Sequence, residues 1–147
     1  MAAPGQLDIT SRHSFQQLGV DYQMTMHGPE AELGVPFGVR VDQLPLDGSI
    51  QLAYQVADHL PHGHTELLVR LNGVTVDRIE LHPADAGKRF NRHIVLDAKA
   101  LIDFNHLEFV LHSDAGDLCV PGQPAAWMVR IDNGSSTEVR RDRTSVV

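Results

Sequence analysis

A chain of 147 residues with a single cysteine, Cys119, and a formal net charge of −7 has the length of one ordinary domain, and folding at this size buries roughly 70% of the extended-chain surface without any staple. The acidic balance excludes nucleic acid and anionic membrane surfaces as general partners, because both need a positive face; the basic residues Arg140, Arg141 and Arg143 read as a solvated end. A lone thiol makes no internal disulfide, leaves the redox compartment open and reads as a small buried apolar side chain.

Residues 1–12 lack periodicity and read as a loose entry. They carry no basic start and no apolar core, and no run in the chain approaches the roughly 20 apolar residues of a membrane helix. The first alternating run is Tyr22, Met24, Met26, closed by Gly28-Pro29. Phe37, Val39 and Val41 repeat the pattern, Leu46-Asp47-Gly48 reads as a turn, and Ile50, Leu52, Tyr54 and Val56 form the next strand. A loop rich in His and Pro, ADHLPHGHT, precedes ELLVRLNGVTVDRIEL, which predicts a hairpin turning at Asn72-Gly73. Both residues tolerate the positive φ of a type I′ turn, so Leu71 should face Val74 and Val69 should face Val76. Beyond that the parity slips. One extra residue near Asp77-Arg78 restores it and predicts a β-bulge there; the alternative gives Ile79 and Leu81 a second buried face.

After the polar connection HPADAGKR, Arg92, Ile94 and Leu96 alternate into Asp97, which is placed to cap a short helical turn through Leu101. Leu107, Phe109 and Leu111 form a further strand. Trp127, Val129 and Ile131 form another, and Asn133-Gly134 reads as a second hairpin turn into Thr137, Val139 and Arg141. The pattern indicates an all-β antiparallel sandwich, a galactose-binding-like jelly roll with at most one or two helical turns. The expected division is a loose segment 1–12, a sandwich domain 13–141 and a tail 142–147, whose abrupt end resembles a cut through a longer protein.

The succession FGVRVDQL, LLVRLNGVTVDRIEL, IDFNHLEFVLHSD and a Cys–Pro loop leading to AAWMVRI resembles the periplasmic regulatory subunit of bacterial cellulose synthase, the B partner of the synthase, over about Phe15 to Arg141. The resemblance implies one carbohydrate-binding-like jelly roll of a larger periplasmic protein that is anchored in the inner membrane and works with the catalytic subunit. Where the family has an acidic CEDP, this chain has Cys119-Val120-Pro121 and a loop to Trp127 about one residue shorter, so no role of those acids carries over. The family also has a reputation for binding cyclic di-GMP, but this acidic chain offers no arginine cluster suited to it. From the same stretch, Asn105 is expected to bond local backbone beside the helical turn.

Among chemistry-bearing residues, His59, His62 and His64 are the most metal-like cluster, since His-x-His on one strand edge points two imidazoles the same way. With Glu66 they approach a cupin pattern whose second half is missing. An exposed polar loop is the plain reading, and no metal or other cofactor is expected. Carboxylates at Asp97, Asp103, Asp114 and Asp117 sit in turn contexts, and neither a nucleophile elbow nor a phosphate loop occurs. The chain reads as no enzyme.

Sugar binding needs aromatic faces for C–H stacking and polar groups for hydroxyls, yet aromatics make up 5% of the chain. Tyr54, Trp127 and the loop residues His59, His62 and His64 are the candidates, with Trp127 and Tyr54 on strand faces that also read as core. Two functions compete: a non-catalytic module that guides or weakly binds exported β-1,4-glucan and docks neighbouring domains, and a free-standing carbohydrate-binding or metal-binding sandwich. A structural spacer is the third reading.

Overall fold

The computed structural model describes residues 8–20, 24–27, 30–39, 44–56, 64–113 and 128–142. The strands are β1 (Asp8–Ser14), β2 (Met24–His27), β3 (Glu30–Gly38), β4 (Leu44–Val56), β5 (Thr65–Leu71), β6 (Val74–Leu81), β7 (Arg89–Leu96), β8 (Phe104–Ser113), β9 (Met128–Ile131) and β10 (Ser136–Asp142), with short 3-10 turns at Pro83–Asp85 and Ala98–Ala100. One sheet is ordered β3-β8-β5-β6; the other holds β1, β10, β4, β9 and β2 with β7 paired to β4. All pairings are antiparallel, as the alternation predicts for a jelly-roll sandwich.

Asn72 and Gly73 adopt φ of 53° and 85°, the left-handed pair that a type I′ turn requires, and Leu71 pairs with Val74 as expected. The bulge sits one residue earlier than predicted. Val69 faces Asp77 and Arg70 faces Thr75, so Val76 is the extra residue. Ile79 and Leu81 thereby return to the single core, opposite Leu67 and Thr65, and an aspartate takes the inward position that the simple alternation assigned to Val76.

Asn133-Gly134 behaves differently from Asn72-Gly73. β4 pairs with β7 along Gly48–Gln55, while its other edge takes β10 along Leu44–Gln51 and β9 along Tyr54–Val56. β9 and β10 thus lie end to end, both running against β4, and the chain does not reverse between them. Neither Asn133 nor Gly134 has a positive φ, so the predicted hairpin is absent. Asp132 Oδ1 accepts from Gly134 N at 2.8 Å, and Ser135 Oγ accepts from Ala53 N at 2.9 Å and donates to Ala53 O at 3.3 Å. The hydroxyl stands in for a missing ladder residue.

Three further expectations change. Residues 8–12, read as loose, belong to β1, which pairs with β10 from Asp8↔Asp142 to Ser14↔Ser136; its inward positions include Ser11 and His13, so no apolar rhythm betrays it. The strand read over Phe37, Val39 and Val41 instead spans Glu30–Gly38; Val39 lies just past its end, Val41 lies outside the described residues, and Pro36 costs no ladder bond on this edge strand. The turn read at Leu46-Asp47-Gly48 lies inside β4. A Cβ at Gly48 would sit 3.1 Å from Leu101 Cδ1 and 3.5 Å from Leu96 Cβ, so glycine there serves close packing rather than a reversal. Asp97 caps its turn as predicted, accepting from Lys99 N at 3.0 Å.

The core lies between the sheets and includes Phe15, Met24, Met26, Ile50, Leu52, Leu67, Val69, Leu107, Phe109 and Ile131. On one side the seam between sheets is closed by Arg92 of β7, whose Nε and Nη2 donate to the two carboxylate oxygens of Asp77 at 2.5 and 3.1 Å. That hydrogen bond holds the Asp77 carboxyl below its usual value. A carboxylate depressed in the folded state stabilises the fold fully above its ordinary pKa of 3.8 and loses that contribution as pH falls through the lower folded value. For a partly exposed pair the effect is about 1 kcal/mol. Asp77→Asn should therefore lower thermal stability at neutral pH, and the gap to wild type should close on acidification below about pH 4; a gap that persists at acid pH would disprove the assignment.

Candidate functional site

Strand β8 sets the geometry. Its alternation turns Asn105, Leu107, Phe109 and Leu111 inward and leaves Phe104, His106 and His112 exposed. Phe104, at the start of the strand, is 80% exposed. Beside it runs a groove of about 650 Å3 in the seam opposite the Arg92–Asp77 closure, where β1 and β10 face the ends of β3 and β8; Phe37, Val39 and Phe104 supply apolar wall, and Ser11, His13 and Arg141 supply polar groups. Arg141 Nη2 donates to Ser11 Oγ at 2.5 Å, while its Nε is buried with no acceptor among the described residues. A second depression of about 290 Å3 shares Phe37, Gly38 and Phe104 and continues towards Leu18 and His106.

A different surface carries His64. The outer face of the smaller sheet aligns Glu30, His112, Glu66 and Glu80 across its four strands. His64 Nε2 lies 3.3 Å from Glu66 Oε2 and Arg78 Nη1 lies 3.6 Å from the same oxygen. His112 Nδ1 is 3.4 Å from Glu30 Oε1. Among the described residues no three His, Cys, Asp or Glu side chains are arranged to hold a metal ion. His59, His62, Trp127 and Cys119 lie outside the described residues.

Tyr54 offers little open ring face. Its residue is 7% exposed, its ring stacks on Phe90 with centroids 5.3 Å apart and planes at 22°, and burial pushes its hydroxyl pKa up, with nearby Arg92 opposing. The position on the face of Leu52 and Val56 made it a core residue, and Phe90 of β7 takes one ring face.

The family described as "Cellulose synthase BcsB, first CBM domain" matches residues 8–143. The chain belongs to this family. The "Cyclic di-GMP-binding protein" of Xanthomonas axonopodis pv. citri (strain 306) is 33% identical over 110 residues, covering 75% of this chain and 14% of that protein; the BcsB-type domain thus spans a small part of its curated relative. Among solved structures it is similar to dimeric latent PorU from Porphyromonas gingivalis, with a TM-score of 0.50, 13% identity, and 92% of this chain and 12% of that one covered. The T=1 particles derived from infectious bursal virus give a TM-score of 0.50 at 11% identity, over 95% of this chain and 33% of that one. At such identities these likenesses show the sandwich fold alone.

Sequence reasoning missed Phe104, Arg141, Ser11 and His13 as groove residues of this BcsB domain. One signal was present: Phe104 is out of phase with Leu107, Phe109 and Leu111, so a strand with those three inward must turn Phe104 outward. The others depend on β1 pairing with β10, which local pattern does not reveal. Among the described residues no helix is long and apolar enough to cross a membrane.

Proposed function

We propose that this domain is a non-catalytic module of the periplasmic BcsB subunit, guiding exported β-1,4-glucan through weak contacts and docking against neighbouring domains of the subunit and its catalytic partner. The observation that carries the reading is the family match over residues 8–143 combined with the fate of the rings: Phe15, Phe37, Tyr54 and Phe109 are buried, and Phe104 alone among the described aromatics is exposed. One open ring stacks on one glucosyl unit and gives little affinity, which suits a polymer that must keep moving.

Asp77 is pulled below its usual pKa by its arginine, the opposite of the raised pKa a glycosidase acid needs, so Asp77 is not suited to be such an acid. Cyclic di-GMP binding belongs to the name of the longer relative. In this domain Arg78, Arg89, Arg92 and Arg140 each sit against a carboxylate, at 3.6, 3.4, 2.5 and 2.7 Å, and so are engaged rather than gathered around a phosphate.

Calorimetric titration with cellohexaose should give a dissociation constant of about a millimolar or weaker. Micromolar binding that disappears in Trp127→Ala would make the module a receptor with its platform at Trp127, and the guiding role would be abandoned.

A further inference from the structure

We infer that the seam groove beside Phe104 is the glucan-binding track of this domain, an assignment that rests on the glucan-guiding reading above and adds its location. A β-1,4-linked glucan is a flat ribbon with apolar C–H faces and hydroxyl-bearing edges, so its site needs an open ring on one side and hydrogen-bonding groups on the other. The groove has both. Phe37, Val39 and Phe104 make its apolar wall, and Ser11, His13 and Arg141 bring polar groups to the same space.

Three observations narrow the occupant to a neutral, elongated, hydroxyl-rich ligand. First, the two depressions of about 650 and 290 Å3 share Phe37, Gly38 and Phe104, so they form one track across a saddle instead of a closed pocket. Gly38 keeps that saddle low: nothing but Asp103 O, at 3.6 Å, stands near where its Cβ would be. Second, Arg141 Nη2 donates to Ser11 Oγ at 2.5 Å, which fixes a guanidinium and a hydroxyl side by side on the polar wall, a pair suited to the hydroxyl edge of a sugar. Third, Asp103 and Arg141 both line the track, so their charges offset each other inside a strongly acidic chain, which favours a neutral sugar over an anion or a basic peptide.

The test is an NMR titration of the full 147-residue chain with cellohexaose, repeated on Phe104→Ala and Gly38→Val. Both variants should fold, since Phe104 is 80% exposed and a Cβ at Gly38 meets Asp103 O at an ordinary 3.6 Å; unchanged thermal unfolding confirms it, and Phe104→Ala alone suffices if Gly38→Val does not fold. The expected result is saturable shifts at Ser11, His13, Gly38, Phe104 and Arg141, with affinity lowered at least about five-fold in each variant. Saturable shifts on the outer face at Glu66 and His112, with Phe104→Ala binding like wild type, would overturn the location and leave the glucan-guiding reading standing. Absence of any saturable shift would overturn both. Groove shifts that depend on protein concentration and not on sugar would make the track an interface between copies of the chain and overturn the assignment.

Discussion

Phe109→Ala is expected to lower the free energy of unfolding by about 3–5 kcal/mol, the usual cost of deleting a buried phenyl ring. Phe109 is fully buried on β8, between Leu33 of β3 and Val69 of β5, and its ring meets Phe15 with centroids 5.8 Å apart and planes at 50°. Phe15 lies just beyond β1, so this tilted pair joins the two sheets. Backbone ladders on both sides of β8 hinder collapse into the void, which places the cost in the upper part of the range. Against the roughly 5–15 kcal/mol that holds a domain together, the loss would be plain in a urea denaturation curve. Phe104→Ala, on the same strand at the opposite parity, should change stability by less than about 0.5 kcal/mol. Similar losses for the two variants would refute the parity assigned to β8.

The second large effect is expected at Asn105. Its side chain is 3% exposed; Oδ1 accepts from Ile102 N at 2.9 Å and from Asn72 Nδ2 at 3.1 Å, and Nδ2 donates to Ile102 O at 2.7 Å. Asn72 continues the stitch, donating to Ala100 O at 3.1 Å and accepting from His106 N at 2.8 Å. The hairpin tip is thereby sewn to the connection that follows the 3-10 turn. Leucine at position 105 leaves Asn72 Nδ2 and the backbone groups of the exposed Ile102 without these partners, at about 1–2 kcal/mol. Because the two asparagines share a bond, Asn72→Ala combined with Asn105→Leu should cost less than the sum of the single changes. Strict additivity would mean that they act independently.

How far the sequence carried can be judged from two pairs of identical residues. Asn72-Gly73 and Asn133-Gly134 look alike locally, and both sit between alternating runs. The first reverses the chain; the second does not, because Ala53 of β4 engages Asp132 and Ser135, with Asp132 N donating to Ala53 O at 2.9 Å. That partner is distant in sequence, so no local signal distinguishes the cases. Phe104 and Phe109 make the opposite lesson: period-two alternation alone separates an exposed ring from a core ring. The central strands and the capped turn at Asp97 were legible for the same reason, since each follows from alternation or from a side chain bonding its own neighbourhood, while the structural task of Asn105 came with the family resemblance. Gly48 misled because a breaker was read by residue type, while its meaning here comes from a packed leucine. Strand β1 was invisible because its inward side chains at Ser11 and His13 line a groove and need not be apolar.

The pairing of β1 with β10 also decides how the domain responds to mechanical load. The rung Asp8↔Asp142 brings the start of the first strand beside the end of the last, and the following rungs run inward to Ser14↔Ser136. Tension applied through both flanking segments therefore pulls one rung at a time, in the manner of a zipper, instead of shearing all seven pairs together. Such a geometry opens at low force and leaves the Phe15–Phe109 contact to resist only after the rungs are gone. A hard pull along the backbone therefore peels the strand that lines the groove before it disturbs the core.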